Sequence, residues 1–397
     1  MEIVRKETGS RQDTRENHAL AAALVHDVGH GPFSHAFEKV GERLGLKLAS
    51  HETLSEELIR SGEIADVLNE MGRCFADDVA DIITKDGVKS VHHAVVSSQF
   101  DADRLDYIRR DRFMAGSQHA GIDFSWLLAN LEIREVPRGV DETALSPIET
   151  FVIGPKAVHA AEAFVLGLFQ LYPTVYFHKA TRGAEKVFEE LLIRIVNLVR
   201  QDQASKAGLP DKHPLVLFAK NPDDRDIALL LDDTVVWGSL SLMADADDPL
   251  IAQFSKRLRD RKLLKCVDIR AQIAHEFDPN SSNSRDKISL IDKCCALVKT
   301  KLTIETANPT PDGIPRILLD EADRSPYKSV DRSKGPLNQI SVRTEGGKLV
   351  DLKERSSVVS ALQAFKLFRV YVDRQDAGAL SDTENAIREG IRECQKT

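Results

Sequence analysis

The sequence predicts a mainly α protein, a helical core followed by a smaller mixed α/β C-terminal portion. Three observations lead there. Through about residue 203 the apolar residues recur at three- and four-residue intervals between short glycine or proline breaks, the period of helices that bury one face. From about 204 the character changes to loops rich in Asp, Pro and Lys, with short β-branched runs that read as strands. No internal repeat is visible, which removes solenoids and propellers from consideration. Residues 1–203 are therefore taken as the chemical core and 204–397 as an accessory helix-plus-strand region.

The totals bound the class. The 397 residues, 42% hydrophobic and 29% charged, describe a soluble globular chain with enough length for two or three domains. No run approaches the roughly 18–20 apolar residues that span a bilayer. The opening MEIVRKETGSRQDTREN is polar without an apolar centre, so the expected compartment is the cytoplasm. Five cysteines (Cys74, Cys266, Cys294, Cys295, Cys394) show no CxxC spacing and are expected as reduced thiols. A net charge of −8 argues against broad coating of nucleic acid or of an anionic membrane, while leaving room for a local basic cluster that takes an anionic substrate.

Taken in order, residues 1–15 are charged and the first helical pattern starts near Glu16. It leads into residues 19–38, ALAAALVHDVGHGPFSHAFE, where an apolar run ends in His26, Asp27 and, one turn later, His30. Gly31-Pro32 ends that helix, and Ser34 is placed to cap a second one carrying His35, Phe37 and Glu38. Ser50 caps a third, with His51 in its first turn, and residues 64–85 continue as helix. In residues 91–116 the carboxylates and guanidinium groups of Asp101, Asp103, Arg104, Asp106, Arg109, Arg110 and Asp111 interleave with Leu105, Tyr107 and Ile108; Asp103, Tyr107 and Arg110/Asp111 share one helical face. A short helix is expected at 123–130 and strands within 131–156, with a turn around Pro137-Arg138-Gly139. Residues 157–203 form the longest helical tract, kinked at Pro173, with Lys179 and Arg182 following Tyr176 and His178. Beyond it, helices are expected around 224–232 and 246–263, strands near 264–269, 298–305 and 338–344, a loop over 306–337, and a helix then a strand over 355–373.

Buried imidazole and carboxylate groups need partners, since an unpaired buried polar group costs on the order of 1–3 kcal/mol and an ion far more. A divalent metal satisfies an adjacent His and Asp together; the bland alternative is core histidines bonded to carbonyls. Ligands within one turn cannot surround an ion, so a later carboxylate is required, and the Asp101/Asp103 region is the source at hand. Mixed imidazole and carboxylate donors suit iron, manganese or zinc better than calcium. Lys179 and Arg182 read either as contacts to an anionic substrate or as a solvated face, and His92-His93 as a ligand source or as core residues.

HDVGHGPFSHAFE, then SHETLSEELI, then DADRLDYIRRD closely resemble the HD-domain phosphohydrolases, and within them the dNTP triphosphohydrolase branch that includes bacterial dGTPases and the vertebrate SAM-and-HD-domain dNTPase. The resemblance covers roughly 16–200. It implies a helical HD core, a divalent ion (iron, manganese, zinc or magnesium) held by His26, Asp27 and Asp103, and a catalytic group of His30, Glu38 and His51 with His51 as general acid. It further implies Arg104 at a phosphate, Tyr107 at the sugar, Asp111 accepting the 3′-hydroxyl, and homo-oligomers with a possible nucleotide effector. Glu38 and Arg104 stand where the vertebrate enzyme has aspartate and lysine, and Arg182 is set against a tyrosine at the sugar or base.

The family also has an earlier histidine, in an R-x-x-H segment, that completes the metal sphere. His18, the sole histidine before His26, lies about 12 Å from it along a helix and does not fill that role. The expectation is either a native chain that starts further upstream or a three-ligand site. The leading reading is metal-dependent hydrolysis of a dNTP to deoxynucleoside and inorganic triphosphate. The alternatives are an HD nucleotidase or phosphodiesterase, and a non-catalytic nucleotide sensor; nucleic-acid binding ranks below them for want of a basic stripe.

Overall fold

A computed structural model describes residues 1–9, 13–84, 90–136, 147–277, 284–306, 310–328 and 339–396. The expected turn at Pro137-Arg138-Gly139 and the end of the predicted 64–85 helix at Lys85 lie outside the described residues. Helix dominates, and the strands β1 (Leu131–Val136), β2 (Ile148–Ile153), β3 (Lys265–Asp268), β4 (Ile317–Arg324), β5 (Ser341–Arg343), β6 (Leu349–Asp351) and β7 (Phe365–Val372) form two small sheets. The predicted class, a helical core with a smaller mixed portion, is the observed one. Among the described residues no helix is long and apolar enough to cross a membrane.

The chain divides into two compact units, each assembled from three stretches: Met1–His30, Ser50–Phe177 and Arg324–Phe365 in the first, Gly31–Ala49, His178–Asp323 and Lys366–Thr397 in the second. A cut at 203/204 does not follow these units. The physical reason is the helix Lys179–Arg200, whose apolar face (Val187, Leu191, Ile195, Leu198 among others) packs against helices both before it (His35–Leu44) and after it (Pro214–Lys220, Pro249–Arg259).

In the first unit, the sheet runs β1-β2-β5-β6. β1 and β2 are antiparallel with Leu131 opposite Ile153 and Val136 opposite Ile148, and β2 takes β5 in parallel. A core of Ile108, Leu127, Phe164, Leu171 and Val342 ties the helices Ala102–Met114 and Val158–Leu171 to this sheet. A second core (Ala22, Ile59, Phe75, Val79, Ala80) joins the helices Asp13–Val25, His51–Arg60 and Phe75–Thr84. In the second unit β3, β7 and β4 lie in that order, with Cys294, Val298 and Leu302 packing among Phe368, Val370 and Ile387.

Several expectations are corrected. A helix, Glu2–Thr8, precedes the one expected to start near Glu16, which itself begins at Asp13. The predicted 64–85 helix is two, Glu63–Asn69 and Phe75–Thr84, parted by Gly72 and by Cys74 at φ 61°. Residues 298–305 are the end of the helix Ser284–Thr306, not a strand: Ile291, Cys294, Val298 and Leu302 recur at three- and four-residue steps on a buried stripe that outweighs their β-branched neighbours. The helix Asp233–Met243 fills the gap left between 232 and 246. Strand β4 lies inside the stretch expected as loop, where flanking prolines masked ILLDEADR.

The apolar run before His26 is also less buried than its composition suggests. Ala19 and Ala22 are fully covered, but Leu20 and Leu24 are 53% and 82% exposed.

Candidate metal centre

The helix Asp13–Val25 stops one residue short of the His-Asp pair, so His26 and Asp27 sit on the turn that follows it. A turn frees two adjacent side chains to converge, which a helix forbids because neighbours diverge by about 100°. The buried charge expected there is not found: the side chains of His26, Asp27 and Asp103 are 22%, 49% and 36% exposed, an open rim. His26 Nε2 lies 3.3 Å from Asp27 Oδ2 and 3.9 Å from Asp103 Oδ1, and one donor atom from each of the three falls within 4.8 Å of the others.

These spacings fit an ion. Donors each about 2.0–2.2 Å from a metal stand about 3–4.4 Å apart. His26 Nδ1 is 3.1 Å from the Ala23 carbonyl oxygen. A carbonyl only accepts, so Nδ1 carries the proton and Nε2 keeps its lone pair toward the two carboxylates, the orientation that metal-binding histidines adopt. Burial pushes the Asp103 carboxyl up from its ordinary range; His26 opposes this and Asp27 adds to it. Two carboxylates facing one imidazole lone pair form a donor set that a cation relieves.

Gly29 brings the next group into place. A side chain there would come within 2.4 Å of the Ser55 nitrogen and 2.6 Å of the His51 oxygen, so only glycine lets the turn lie against the helix His51–Arg60. Gly29 N donates to the buried Ser55 Oγ at 2.9 Å, and Ser50 Oγ caps that helix by accepting from Thr53 N. The result is that His30 and His51 stack, ring centroids 4.1 Å apart and planes 18° from parallel. His30 Nε2 also reaches Asp27 Oδ1 at 3.8 Å.

The helix Ala102–Met114 supplies Asp103 and, on successive turns, Arg104, Tyr107 and Asp111. Its N-cap, Asp101, is 3% exposed, and burial pushes its carboxyl up to about 6 against the pull of Arg104. Tyr107, Tyr172 and Tyr176 form a wall, with Tyr176 edge-on to both other rings at 6.2 and 6.1 Å. Tyr176 Oη donates to Asp111 Oδ2 at 2.8 Å, and burial followed by Asp111 pushes its hydroxyl pKa up.

Tyr172 and Tyr176 were not among the expected site residues. The available signal was YPTVY, whose proline converts the end of the helix Val158–Leu171 into a wider turn over Tyr172–Tyr176 that keeps both rings together.

The remaining expected residues belong to the second unit. Glu38, in the first turn of the helix His35–Leu44, accepts from His35 Nδ1 at 2.7 Å. Ser34, the expected cap, occupies the N-cap position at φ 51° without a side-chain hydrogen bond. Lys179 is exposed at the start of its helix, and His178 caps that helix by accepting from Ala180 N at 3.3 Å. Arg182, expected at a phosphate or on a solvated face, is instead 5% exposed; it pairs with Asp320 through two nitrogens and with Glu185 at 2.6 Å. Elsewhere in the first unit His92 is 5% exposed, and His18 lies 3.7 Å from Asp78. All five cysteines are free.

Residues 1–108 match the HD domain and residues 138–289 the HD-associated region. The uncharacterized protein YwfO of Bacillus subtilis is 27% identical over 353 residues, 88% of this chain and 71% of that protein. Mouse deoxynucleoside triphosphate triphosphohydrolase SAMHD1 is 23% identical over 402 residues, 90% of this chain and 56% of that enzyme. A phosphohydrolase from Bacteroides thetaiotaomicron shares the fold at a TM-score of 0.66 and 22% identity, covering 94% of this chain and 84% of that one. The chain thus carries an HD domain followed by an HD-associated region.

Proposed function

We propose that the chain hydrolyses deoxynucleoside triphosphates to deoxynucleoside and inorganic triphosphate. The observation that carries this reading is the order of groups on one helix: a metal-facing carboxylate (Asp103), a cation (Arg104), an aromatic wall (Tyr107 with Tyr172 and Tyr176) and a hydrogen-bonded carboxylate (Asp111). That sequence of chemistries matches a ligand that is anionic at one end and a hydroxylated ring at the other. The distant likeness to the mouse triphosphohydrolase supports it.

His26, Asp27 and Asp103 would hold the ion, which when bound supplies Lewis-acid activation for attack on the α-phosphorus. Arg104 holds phosphate oxygens. His51, stacked on His30, hands a proton to the departing 5′-oxygen, the step that lets a deoxynucleoside leave as a neutral alcohol. Asp111, with Oδ2 held by Tyr176, offers its other oxygen to a sugar hydroxyl.

The test is a product assay on the metal-loaded chain with each dNTP, a ribonucleoside triphosphate, a deoxynucleoside monophosphate and a cyclic nucleotide. Metal-dependent release of deoxynucleoside with tripolyphosphate is expected from at least one dNTP. Consumption of the monophosphate or cyclic nucleotide alone would make the chain a nucleotidase or phosphodiesterase, and binding without turnover would make it a sensor.

A further inference from the structure

Asp101 takes no part in the mechanism above, yet both oxygens of this buried carboxylate engage Arg104, with the Ser98 backbone as a further donor. Oδ1 accepts from the Arg104 backbone nitrogen at 2.7 Å, and Oδ2 pairs with Arg104 Nη1. The same Nη1 donates to the Ser98 carbonyl. Three acceptor contacts therefore converge on one amide and one corner of the guanidinium, while among the described residues Nε and Nη2 have no hydrogen bond. The Arg104 side chain is 33% exposed, so that free edge is reachable.

An Nε–Nη2 edge is two parallel N–H donors, spaced to take two oxygens of one phosphate. A lysine clamped in the same way would keep only a point charge. Fixing the edge beforehand removes the rotamer entropy that a long side chain otherwise loses on binding. We propose that Asp101 is a positioning residue that holds Arg104 by its Nη1 corner and so presents the Nε–Nη2 edge as a preset, two-pronged seat for a phosphate oxyanion. This rests on the reading of Arg104 as the phosphate contact. Asp103, one residue before the clamped arginine, lies inside the loop that Asp101 closes, so the clamp also fixes the register between metal carboxylate and phosphate seat.

Asp101→Asn and Arg104→Lys, alone and together, separate the clamp from the cap, because asparagine still accepts the Arg104 amide. The readout is the dissociation constant of inorganic tripolyphosphate on the full chain, with thermal melting and bound metal followed alongside. Asp101→Asn is expected to weaken tripolyphosphate five- to tenfold with melting and metal content unchanged. Arg104→Lys is expected to weaken it about tenfold in the parent but less than twofold in Asp101→Asn, the coupling that a shared function requires. Affinity unchanged in Asp101→Asn, or the two losses simply adding, overturns the proposal. Should the asparagine variant fail to fold, Asp101→Ser supplies the cap without the charge and is read the same way. A parent chain that binds tripolyphosphate through this coupling but hydrolyses no nucleotide would overturn the proposed activity and leave the clamp standing.

Discussion

Charged side chains gather in both compact units, but to opposite effect. In the second unit Arg182, Lys39 and Lys186 face Asp320, Glu185 and Glu189, three cations against three carboxylates, with the side chains of Arg182, Asp320 and Glu189 at 6%, 0% and 2% exposure. In the first unit Asp27 and Asp103 face His26 on an open rim, and neither pairs with a lysine or arginine among the described residues. A closed cluster whose charges cancel holds a fold together. An open cluster with an excess of one sign, reachable from solvent, has the room and the charge for a cation to join it. The contrast teaches that number and type of charged residues do not separate scaffold from site; charge balance and access do.

The strongest way to break that contrast is to remove one carboxylate from each cluster. On the proposed reading of Asp103 as a metal ligand, Asp103→Ala is expected to lower turnover by about a thousandfold or more and to reduce bound metal; because it also relieves repulsion with Asp27, melting temperature should be held or raised. Asp320→Ala leaves the Arg182 guanidinium buried without its main partner and is expected to cost about 3–5 kcal/mol in denaturant unfolding. Metal per folded chain should stay at the parent value. If Asp103→Ala destabilised as much as Asp320→Ala, the open cluster would be scaffold after all.

How much of this could be seen in the sequence follows the same division. HDVGHGPFSH announced His26 and Asp27, and the four-residue recurrence in DADRLDYIRRD announced the shared face of Asp103, Tyr107 and Asp111, because both signals are local in the chain. The burial of Arg182 cannot be read locally, because its partner Asp320 stands 138 residues away, in a strand hidden among prolines. The Tyr176–Asp111 bond, 65 residues apart, was invisible for the same reason. Residues 298–305 read as a strand because their β-branched run is local, whereas the helical stripe they belong to has its other members a full turn or more upstream.

A smaller effect is expected at Tyr176. Its hydroxyl fixes one oxygen of Asp111 and leaves the ring in the aromatic wall, so Tyr176→Phe removes orientation without removing bulk. A hydrogen bond to a carboxylate is worth roughly 1.5–3 kcal/mol before solvent substitutes for it. If the proposed activity holds, catalytic efficiency toward the nucleotide turned over best should fall about tenfold, through KM more than kcat, with metal binding and melting unchanged. A loss confined to kcat would move Asp111 from sugar binding to the chemical step.

The smallest effect concerns a histidine that contrasts with His26 inside the same unit. His92 is 5% exposed, and neither ring nitrogen has a hydrogen-bond partner among the described residues. Burial lowers its pKa from the ordinary value of 6.5; Arg15 lowers it further and Glu16 opposes. The folded state therefore resists the proton that the unfolded chain accepts. Above about pH 6.5 neither state binds it and His92 adds no pH dependence; as pH falls below 6.5 the unfolded state takes the proton first, and stability declines until the lowered folded pKa is reached. Each unit of depression is worth about 1.4 kcal/mol at most. His18, whose pKa is lowered by burial and partly restored by Asp78, adds to the same slope. Urea unfolding of the parent between about pH 7.5 and 5 should show the decline, and His92→Leu should be flatter over that window by about 1 kcal/mol. An equal slope in the variant would leave the acid sensitivity to other groups, among them His18 and His213, whose pKa values burial also lowers, and make His92 a silent core residue.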